Sequence, residues 1–444
     1  MVKSYGAMPL RLETCFQIRE MMNSHRFIPL YLFLFALIIR VVFLTATYHD
    51  KDDVKYMEDV EIAINVLEGK GYVYNFSLLN ANVPLRPTAL KPPVYPVLVS
   101  LVFFAFGMKN FFALFLIHAL LAATTCVVLY LAVAKVSHYR AAIAGLIFAL
   151  YPPFIYHSVT VPESTTATLF LISLFCYALV KIHDRFDQKK WIVVSIIGGL
   201  LAMTEPVTVP FMFLALLYVA YLTLGSLKKV SLEMVTAVVV FAATIAPWTV
   251  RNYLTFKQFV FIKSNFGSTL VMSGIRLPQE TKLSLAKEVH GMDEVNEDKV
   301  IKKAVLSWIL ENPIMYLRRL PDNFRSFWWE TGRYRDDRST TYVFGRKVPY
   351  ILLLIFSIPA MFWNLVQLGT DAKARSHINI CHGVMFILIF TYTAIYTLVG
   401  AVNLRYHFPV EFGMFIFCAD SILYIANKVQ LPFNNSLRCL KTSL

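Results

Sequence analysis

Long apolar runs separated by polar connectors dominate the hydrophobic pattern of this chain. A helix needs about 20 apolar residues to cross a bilayer core, and about ten runs approach that length. The pattern therefore predicts an all-α polytopic membrane protein, a bundle of about 10 transmembrane helices within a range of about 9 to 12. The predicted spans lie near residues 28–47, 111–134, 140–158, 164–181, 191–204, 207–225, 231–249, 348–368, 378–400 and 407–427.

The run 94–107 is shorter than these spans. Its roughly 14 residues cover about 21 Å at ~1.5 Å per residue, less than a ~30 Å core. If this run does not cross the membrane, the basic connectors fall on the same side as the basic N-terminus, as the positive-inside rule requires. We therefore predict a re-entrant or interfacial helix and a cytoplasmic N-terminus. The connectors are Lys135/Arg140, Lys181/Arg185/Lys189/Lys190, Lys228/Lys229 and Lys373/Arg375.

Two long polar loops then share the outer face of the membrane. The first is predicted to contain juxtamembrane helices, and the second to lie along the membrane, with Phe327, Trp328 and Trp329 suited to the headgroup level. The predicted division is a cytoplasmic basic tail at 1–27, a transmembrane module at 28–250 that includes the first loop 48–110, an outer loop at 251–346, C-terminal transmembrane helices at 347–427 and a cytoplasmic tail at 428–444.

Composition agrees with a membrane location and excludes several other classes. The chain is 57% hydrophobic and 16% charged, whereas soluble domains carry about 25% charged residues. The net charge of +14 resides between apolar runs, so membrane topology explains it better than nucleic-acid binding. No cysteine falls in the predicted outer loops, which predicts no disulfide framework. P-loop, dinucleotide-binding and HExxH motifs are absent from the sequence.

Acidic residues follow the first span closely. Asp52 and Asp53 come just past the predicted membrane exit. A positioned carboxylate can remove the proton of an acceptor hydroxyl or amine, which makes these residues candidate catalytic bases. The alternative is a solvated loop with ordinary charges.

Four basic residues are candidate contacts for a donor phosphate. Lys91 precedes two prolines at the start of the short apolar run, and lysine binds phosphate as a point charge. Arg251 and Arg405 lie at the outer ends of spans, and Arg405 opposes the positive-inside trend. Arg40 lies within the first span, about 10 Å from its outer end, where it either snorkels or approaches a phosphate. For Lys91 the alternative is snorkelling to headgroups.

Three further residues at the outer face are candidates to hold a sugar hydroxyl or a metal ion: Glu163, Glu205 and His157. The alternative for both acids is a capping role in a turn. The sequence requires no cofactor and leaves a divalent cation open.

Five motifs occur in order along the chain. They are Ala63-Ile-Asn65-Val-Leu67-Glu-Gly69-Lys-Gly71-Tyr72, Pro92-Pro93-Val-Tyr95-Pro96, Pro247-Trp248-Thr-Val-Arg251-Asn252-Tyr253 with Asn265-Phe-Gly267 and Gly274, Glu311-Asn312-Pro313, and Arg405-Tyr406-His-Phe-Pro409. Together they resemble the GT-C glycosyltransferases, in particular the bacterial protein-mannosyltransferase-like group that includes the lipid A aminoarabinose transferases. The resemblance covers roughly residues 30–425.

The resemblance implies a function. Members of this family transfer a sugar, with inversion, from a polyprenyl phosphate to an acceptor hydroxyl on the outer face of the membrane, and a first-loop aspartate acts as base. In the aminoarabinose transferases a lysine before the double proline helps to hold the donor phosphate, and Lys91 occupies that position. The chain departs from the family pattern at two places. Lys55 stands where the family has its aspartate, so the resemblance implies that the base has shifted to Asp52 or Asp53 or that its role has passed to Asp59. Thr204-Glu205-Pro206 replaces a common Thr-Arg-Pro.

We therefore expect a bacterial inner-membrane glycosyltransferase whose active site faces the periplasm. Its partners would be a polyprenyl-phosphate-linked sugar, a lipid, glycan or protein acceptor, and membrane lipids, but no nucleic acid. Two alternatives remain open. One is a polysaccharide polymerase or ligase that uses a pyrophosphate-linked donor, and the other is a non-enzymatic carrier or flippase of lipid-linked sugar.

Overall fold

The protein is built almost entirely from helices. The computed structural model describes residues 26–48, 54, 57–79, 83–184, 187–224, 232–272, 275, 277–329, 343–370, 377–401 and 403–429. Within these residues lie 17 α-helices and one antiparallel two-stranded ribbon, in which Val73 pairs with Pro87. The predicted all-α membrane bundle is confirmed.

The elements follow in chain order. The first part contains α1 Ile28–Thr47, α2 Glu58–Leu67, β1 Val73–Tyr74, β2 Arg86–Pro87, α3 Val94–Phe106, α4 Phe111–Val133, α5 His138–Leu150, α6 Pro152–Thr160, α7 Thr165–Asp184, α8 Gln188–Ala202 and a 3₁₀ turn Pro206–Thr208. The second part contains α9 Val209–Leu224, α10 Leu232–Phe256, α11 Phe266–Met272, α12 Gln279–Glu288, α13 Glu294–Glu311, α14 Pro313–Trp329, a π-helical turn Val343–Lys347, α15 Val348–Thr370, α16 His377–Val399 and α17 Leu404–Lys428.

Eight helical segments in the described part of the chain are long and apolar enough to cross a membrane, or nine if α5 and α6 form one bent span. The one remaining predicted span, 191–204, corresponds to α8. This helix has 15 residues, about 22 Å at ~1.5 Å per residue, so it falls short of a full bilayer core. It packs between α7 and α10 and returns the chain to the end of the bundle where α3 begins, since the Val94 N–H donates to the Met203 carbonyl at 3.3 Å.

The short apolar run forms α3, with 13 residues. Its first turn follows two prolines, which are tolerated there because the N–H groups of a first turn have no helical partner. The helix ends at Gly107, whose φ of 103° favours glycine. One face, with Tyr95, Val99 and Phe103, is buried in a cluster formed with α2 and α4. That α3 is a re-entrant or interfacial helix stays a prediction.

A sharp bend of 52° separates α5 from α6. Pro152 opens α6 and cannot continue the helix before it, which leaves the last carbonyls of α5 without helical donors. Arg40 of α1 is fully buried there and donates to the carbonyls of Phe148 and Ala149, both at 3.4 Å. This guanidinium therefore joins α1 to the bend.

The close approach of α11 to α13 explains one of the sequence motifs. A Cβ atom on Gly267 would lie 2.6 Å from the backbone nitrogen of Lys302 and 2.7 Å from the carbonyl of Asp298. Both are backbone atoms, which cannot yield without moving a helix. Glycine is therefore required at this position by packing.

A partly buried polar cluster surrounds Asp420 of α17. Asp420 accepts hydrogen bonds from His382 at 2.8 Å and from Asn364 at 3.2 Å, and it forms an ion pair with Arg140. A carboxylate within a membrane span is costly unless it is paired. These three side chains are partners that the sequence did not reveal for Asp420.

Candidate functional site

The first loop presents two carboxylates at the start of α2. Glu58 and Asp59 lie in the first turn, where the helix dipole favours negative charge. The Lys91 ammonium lies 3.0 Å from an oxygen of Asp59 and 3.4 Å from an oxygen of Glu58. Asp59 is buried, and the Lys91 side chain is only 14% exposed. The loop thus holds a lysine between two acids, next to the double proline.

The backbone around Lys91 is held by its neighbours. The Tyr72 hydroxyl donates to the Lys91 carbonyl at 2.9 Å. Arg251, at the end of α10, donates to the carbonyls of Thr88 at 2.7 Å and Tyr72 at 3.1 Å. Its guanidinium also lies over the rings of Tyr72 and Trp248, at 5.2 and 4.8 Å. Arg251, predicted to contact phosphate, is therefore engaged in positioning the loop that carries Lys91.

A second ionic group comes from three other segments. Glu163 lies in the turn between α6 and α7, with one oxygen 3.7 Å from Arg405 and the other 3.6 Å from His157. Arg405 is fixed by the start of α17, where Asn403 accepts the Arg405 N–H at 3.2 Å. The Arg405 guanidinium also donates to the Tyr406 hydroxyl at 2.8 Å. The structure thus brings His157, Glu163 and Arg405 together.

The two ionic groups form one site. Arg405 acts electrostatically on Glu58, Asp59 and Lys91, and Lys91 acts on Glu163. The two groups therefore lie close enough for their charges to interact.

The pKa values of the acids diverge within this site. Burial raises the pKa of Asp59, and the Lys91 charge only partly opposes this shift. For Glu163, burial alone would also raise the pKa, but the contact with His157 and the charge of Arg405 lower it to about 2. Burial disfavours the Lys91 cation, yet the charges of Asp59 and Glu58 outweigh it and raise the lysine pKa. Asp59 is thus the carboxyl group in this cluster that is better suited to take a proton.

The remaining candidates have other neighbours. Glu205 is 4.0 Å from Lys263 and also acts electrostatically on Arg405, so it lies near the second ionic group. Arg40 lies in the bundle core and donates to backbone carbonyls as described above. Asp52 and Asp53 lie outside the described residues. Within the described part of the chain, no group of three or more His, Cys, Asp or Glu side chains is arranged to hold a metal ion.

A segment of the chain that contains several of these residues matches the model of a known family. Residues 90–250 match the family model of the dolichyl-phosphate-mannose-protein mannosyltransferases. The resemblance predicted from the motifs is confirmed. The matched segment begins next to Lys91, ends next to Arg251 and contains His157, Glu163 and Glu205; it covers a little over a third of the chain. A search of curated protein sequences found no significant match.

Solved structures of an archaeal oligosaccharyltransferase share the fold. The apo form from Archaeoglobus fulgidus aligns with a TM-score of 0.55 and 14% identity, over 93% of this chain and 52% of that chain. AglB from the same organism, in complex with an inhibitory peptide and a dolichol-phosphate, aligns with a TM-score of 0.55 and 13% identity, over 95% and 52%. The chain thus has a GT-C-like fold, and it spans about half the length of these structures.

Sequence reasoning missed the acids that anchor the Lys91 loop to α13. Glu294 accepts hydrogen bonds from the Ala89 N–H at 2.9 Å, the Ser264 hydroxyl at 2.6 Å and the Thr88 hydroxyl. One turn later, Glu297 forms an ion pair with Arg86 at 2.8 Å. Acids at a helix N-terminus are common, so nothing in the sequence distinguished these two.

We expect Glu294→Ala to destabilise the protein. The change leaves three buried donors without an acceptor, and each such loss costs about 1–3 kcal/mol. The melting temperature of the purified protein should fall by several degrees, and the Lys91 loop should become more sensitive to proteolysis. Glu288→Ala, an exposed acid on α12, is the matched control and should leave both measurements unchanged. Equal behaviour of the two variants would contradict the anchoring role.

Proposed function

We propose that this protein is an inverting glycosyltransferase that moves a sugar from a polyprenyl-phosphate donor to a lipid, glycan or protein acceptor. The observation that carries the proposal is a pair of interacting ionic contacts, Asp59 with Lys91 and Glu163 with Arg405, in a GT-C-like bundle. Such an arrangement offers a base for the acceptor and cations for a departing phosphate. The dolichol-phosphate bound by AglB supports a lipid-phosphate donor as a class.

The chemistry follows from these charges. A first-loop carboxylate takes the proton of the acceptor hydroxyl, and the oxygen attacks the anomeric carbon from the face opposite the phosphate. The bond between that carbon and the phosphate oxygen breaks, and its electron pair goes to the phosphate. Lys91 and Arg405 stabilise the negative charge that develops there. Glu163, ionised throughout the physiological range, accepts hydrogen bonds from the sugar hydroxyls.

Three first-loop aspartates remain candidates for the base: Asp52, Asp53 and Asp59. Asp59 is favoured by its burial, by its raised pKa and by its 3.0 Å contact with Lys91. A base with a raised pKa accepts a proton more readily, and the adjacent lysine places it beside the donor phosphate. The proposal routes no step through a metal ion, and it requires no cofactor.

The proposed location is the bacterial inner membrane, with the N-terminus in the cytoplasm and the site on the periplasmic side. The support is the distribution of charge. Lys135 pairs with Asp184 at 3.1 Å at the bundle end away from the site, and both belong to connectors predicted to face the cytoplasm. Labelling of single introduced cysteines from either side of the membrane tests this orientation.

The decisive experiment uses purified protein in lipid with a panel of polyprenyl-phosphate sugars. We expect release of polyprenyl phosphate that depends on an added acceptor, either an outer-membrane glycolipid extract or a peptide. Parallel samples with EDTA measure any need for a divalent cation. If every donor binds but none releases polyprenyl phosphate when an acceptor is added, the proposal is refuted.

The same purified protein in lipid distinguishes the two alternative functions. Transfer from lipid pyrophosphate donors alone would indicate a polymerase or ligase. Movement of labelled lipid-linked sugar across sealed vesicles without any transfer would indicate a carrier. A carrier requires polar groups along a path through the membrane, whereas the charges described within the spans, Arg40 and Asp420, are bonded to protein groups, which favours the transferase.

A further inference from the structure

Helix α14 has one face packed on the bundle. The Tyr316 hydroxyl donates to the Leu398 carbonyl at 2.8 Å, and the Asn323 amide donates to the Thr397 carbonyl at 3.0 Å. Phe327, predicted to lie at the headgroup level, is buried against the protein and stacks on Tyr396 with a centroid distance of 5.6 Å. These contacts fix the orientation of α14 against the end of α16.

A second face of α14 exposes large apolar side chains. Ile314, Leu317 and Phe324 are 65%, 58% and 49% exposed. Their spacing of three and seven residues places them in one stripe along the helix. Apolar side chains in such a stripe, at the end of a membrane bundle, are stabilised by contact with hydrocarbon at the interface of the bilayer.

Two arginines flank this stripe. Arg318 and Arg325 are exposed, and seven residues separate them, so they lie about 10 Å apart along the axis and about 20° apart around it. Within the described residues, neither side chain forms an ion pair with an acid. Arginine presents a planar set of donors that matches a phosphate group. The stripe and its arginines therefore combine an apolar surface with two phosphate-binding groups.

We propose that α14 binds anionic phospholipids of the surrounding bilayer. Their acyl chains lie against Ile314, Leu317 and Phe324, and their phosphates against Arg318 and Arg325. Charge complementarity selects this occupant, because α14 carries three arginines against a single acid, Asp322, and anionic lipids match this net positive charge better than neutral lipids do. The proposal is independent of the transferase activity.

The bound lipid lies next to the candidate site. Phe327 of α14 stacks on Tyr396, and Tyr396 stacks on Tyr406 with a centroid distance of 4.4 Å. Tyr406 in turn accepts the hydrogen bond from Arg405. An ordered α14 thus supports, through packed rings, the arginine that is paired with Glu163.

Hydrogen exchange in nanodiscs tests the proposal without any activity measurement. The full-length protein is placed in phosphatidylcholine alone or with added phosphatidylglycerol. We expect exchange within α14 to slow by about tenfold or more in the anionic bilayer, the size expected for two arginines at a charged surface. Native mass spectrometry counts the phosphatidylglycerol molecules that remain bound.

Two variant pairs make the result specific. Arg318→Gln/Arg325→Gln should remove the difference between the bilayers and reduce the bound phosphatidylglycerol. Lys287→Gln/Lys303→Gln removes the same charge from exposed positions of α12 and α13 and should retain the wild-type difference. Unchanged exchange in α16 shows that each variant is folded.

The opposite results would overturn the proposal. Identical exchange of wild-type α14 in both bilayers would exclude anionic lipid binding. Equal effects of the arginine and lysine pairs would indicate a general charge effect in place of a site on α14. Leu317→Ser/Phe324→Ser tests the apolar part, and it should speed exchange of α14 in both bilayers.

Discussion

Asp59→Asn is expected to lower the rate of sugar transfer by about 100-fold or more, the usual contribution of a general base. The amide cannot take the proton of the acceptor. It remains close in size to the carboxylate, so the packing of α2 should be preserved. Product release from a polyprenyl-phosphate sugar, measured at saturating donor and acceptor, gives the rate. Donor binding, measured separately, should change much less than the rate.

The neighbouring acid supplies the control for this prediction. Glu58 also approaches Lys91, at 3.4 Å, but its side chain is 29% exposed, against 5% for Asp59. Glu58→Gln should therefore cost only a few-fold in rate. Asp52→Asn and Asp53→Asn complete the series. If either abolishes transfer while Asp59→Asn retains most of it, Asp59 holds Lys91 and the base is the other residue.

The pH dependence of the wild-type rate should carry the same information. A base must be ionised, so activity should fall as pH decreases through the pKa of the catalytic carboxyl group. Because burial raises the pKa of Asp59, this fall should occur at a higher pH than for an ordinary aspartate. Protonation of Glu163, whose pKa is about 2, cannot cause a loss of activity at that higher pH.

The architecture was accessible from sequence because its signals are local. The length of an apolar run measures whether it can cross a bilayer, and the double proline before α3 marks a helix start wherever the chain goes. The exception was α8, where 15 helical residues are joined to a 3₁₀ turn through Glu205. The apolar run of α8 resembled a full span, but this shorter helix is held in the bundle by packing between two longer helices.

The partners of individual charged side chains could not be predicted from the sequence. Arg40 and Arg251 were grouped with Lys91 as contacts of a phosphate, yet both donate to backbone carbonyls. A guanidinium binds a carbonyl or a phosphate with the same donors, and only tertiary structure decides which one is near. The pairing of Asp59 with Lys91 joins residues far apart in sequence, so no local pattern could have revealed it.

Lys91→Met should lower transfer by about 100- to 1000-fold, as the loss of one preorganised group that stabilises developing charge usually does. Methionine keeps much of the apolar stem but removes the ammonium, so in the proposed mechanism the departing phosphate loses a stabilising cation. Binding of free polyprenyl phosphate should weaken as well. Lys91→Arg restores a charge and should recover part of the activity. Lys70→Met, which removes an exposed lysine of the same loop, is the matched control and should be near wild type.

A double variant separates the two roles of this lysine. Without Lys91, Asp59 loses the cation that most lowers its pKa and keeps only the weaker effect of Arg405. The pKa of Asp59 should therefore rise further, and the loss of activity at low pH should begin at a higher pH. Adding Glu58→Gln removes one negative charge next to Asp59, so the loss of activity should return to a lower pH. If Lys91 serves the phosphate, the rate at high pH stays low in the double variant. Full recovery there would show that Lys91 acts only by keeping Asp59 ionised.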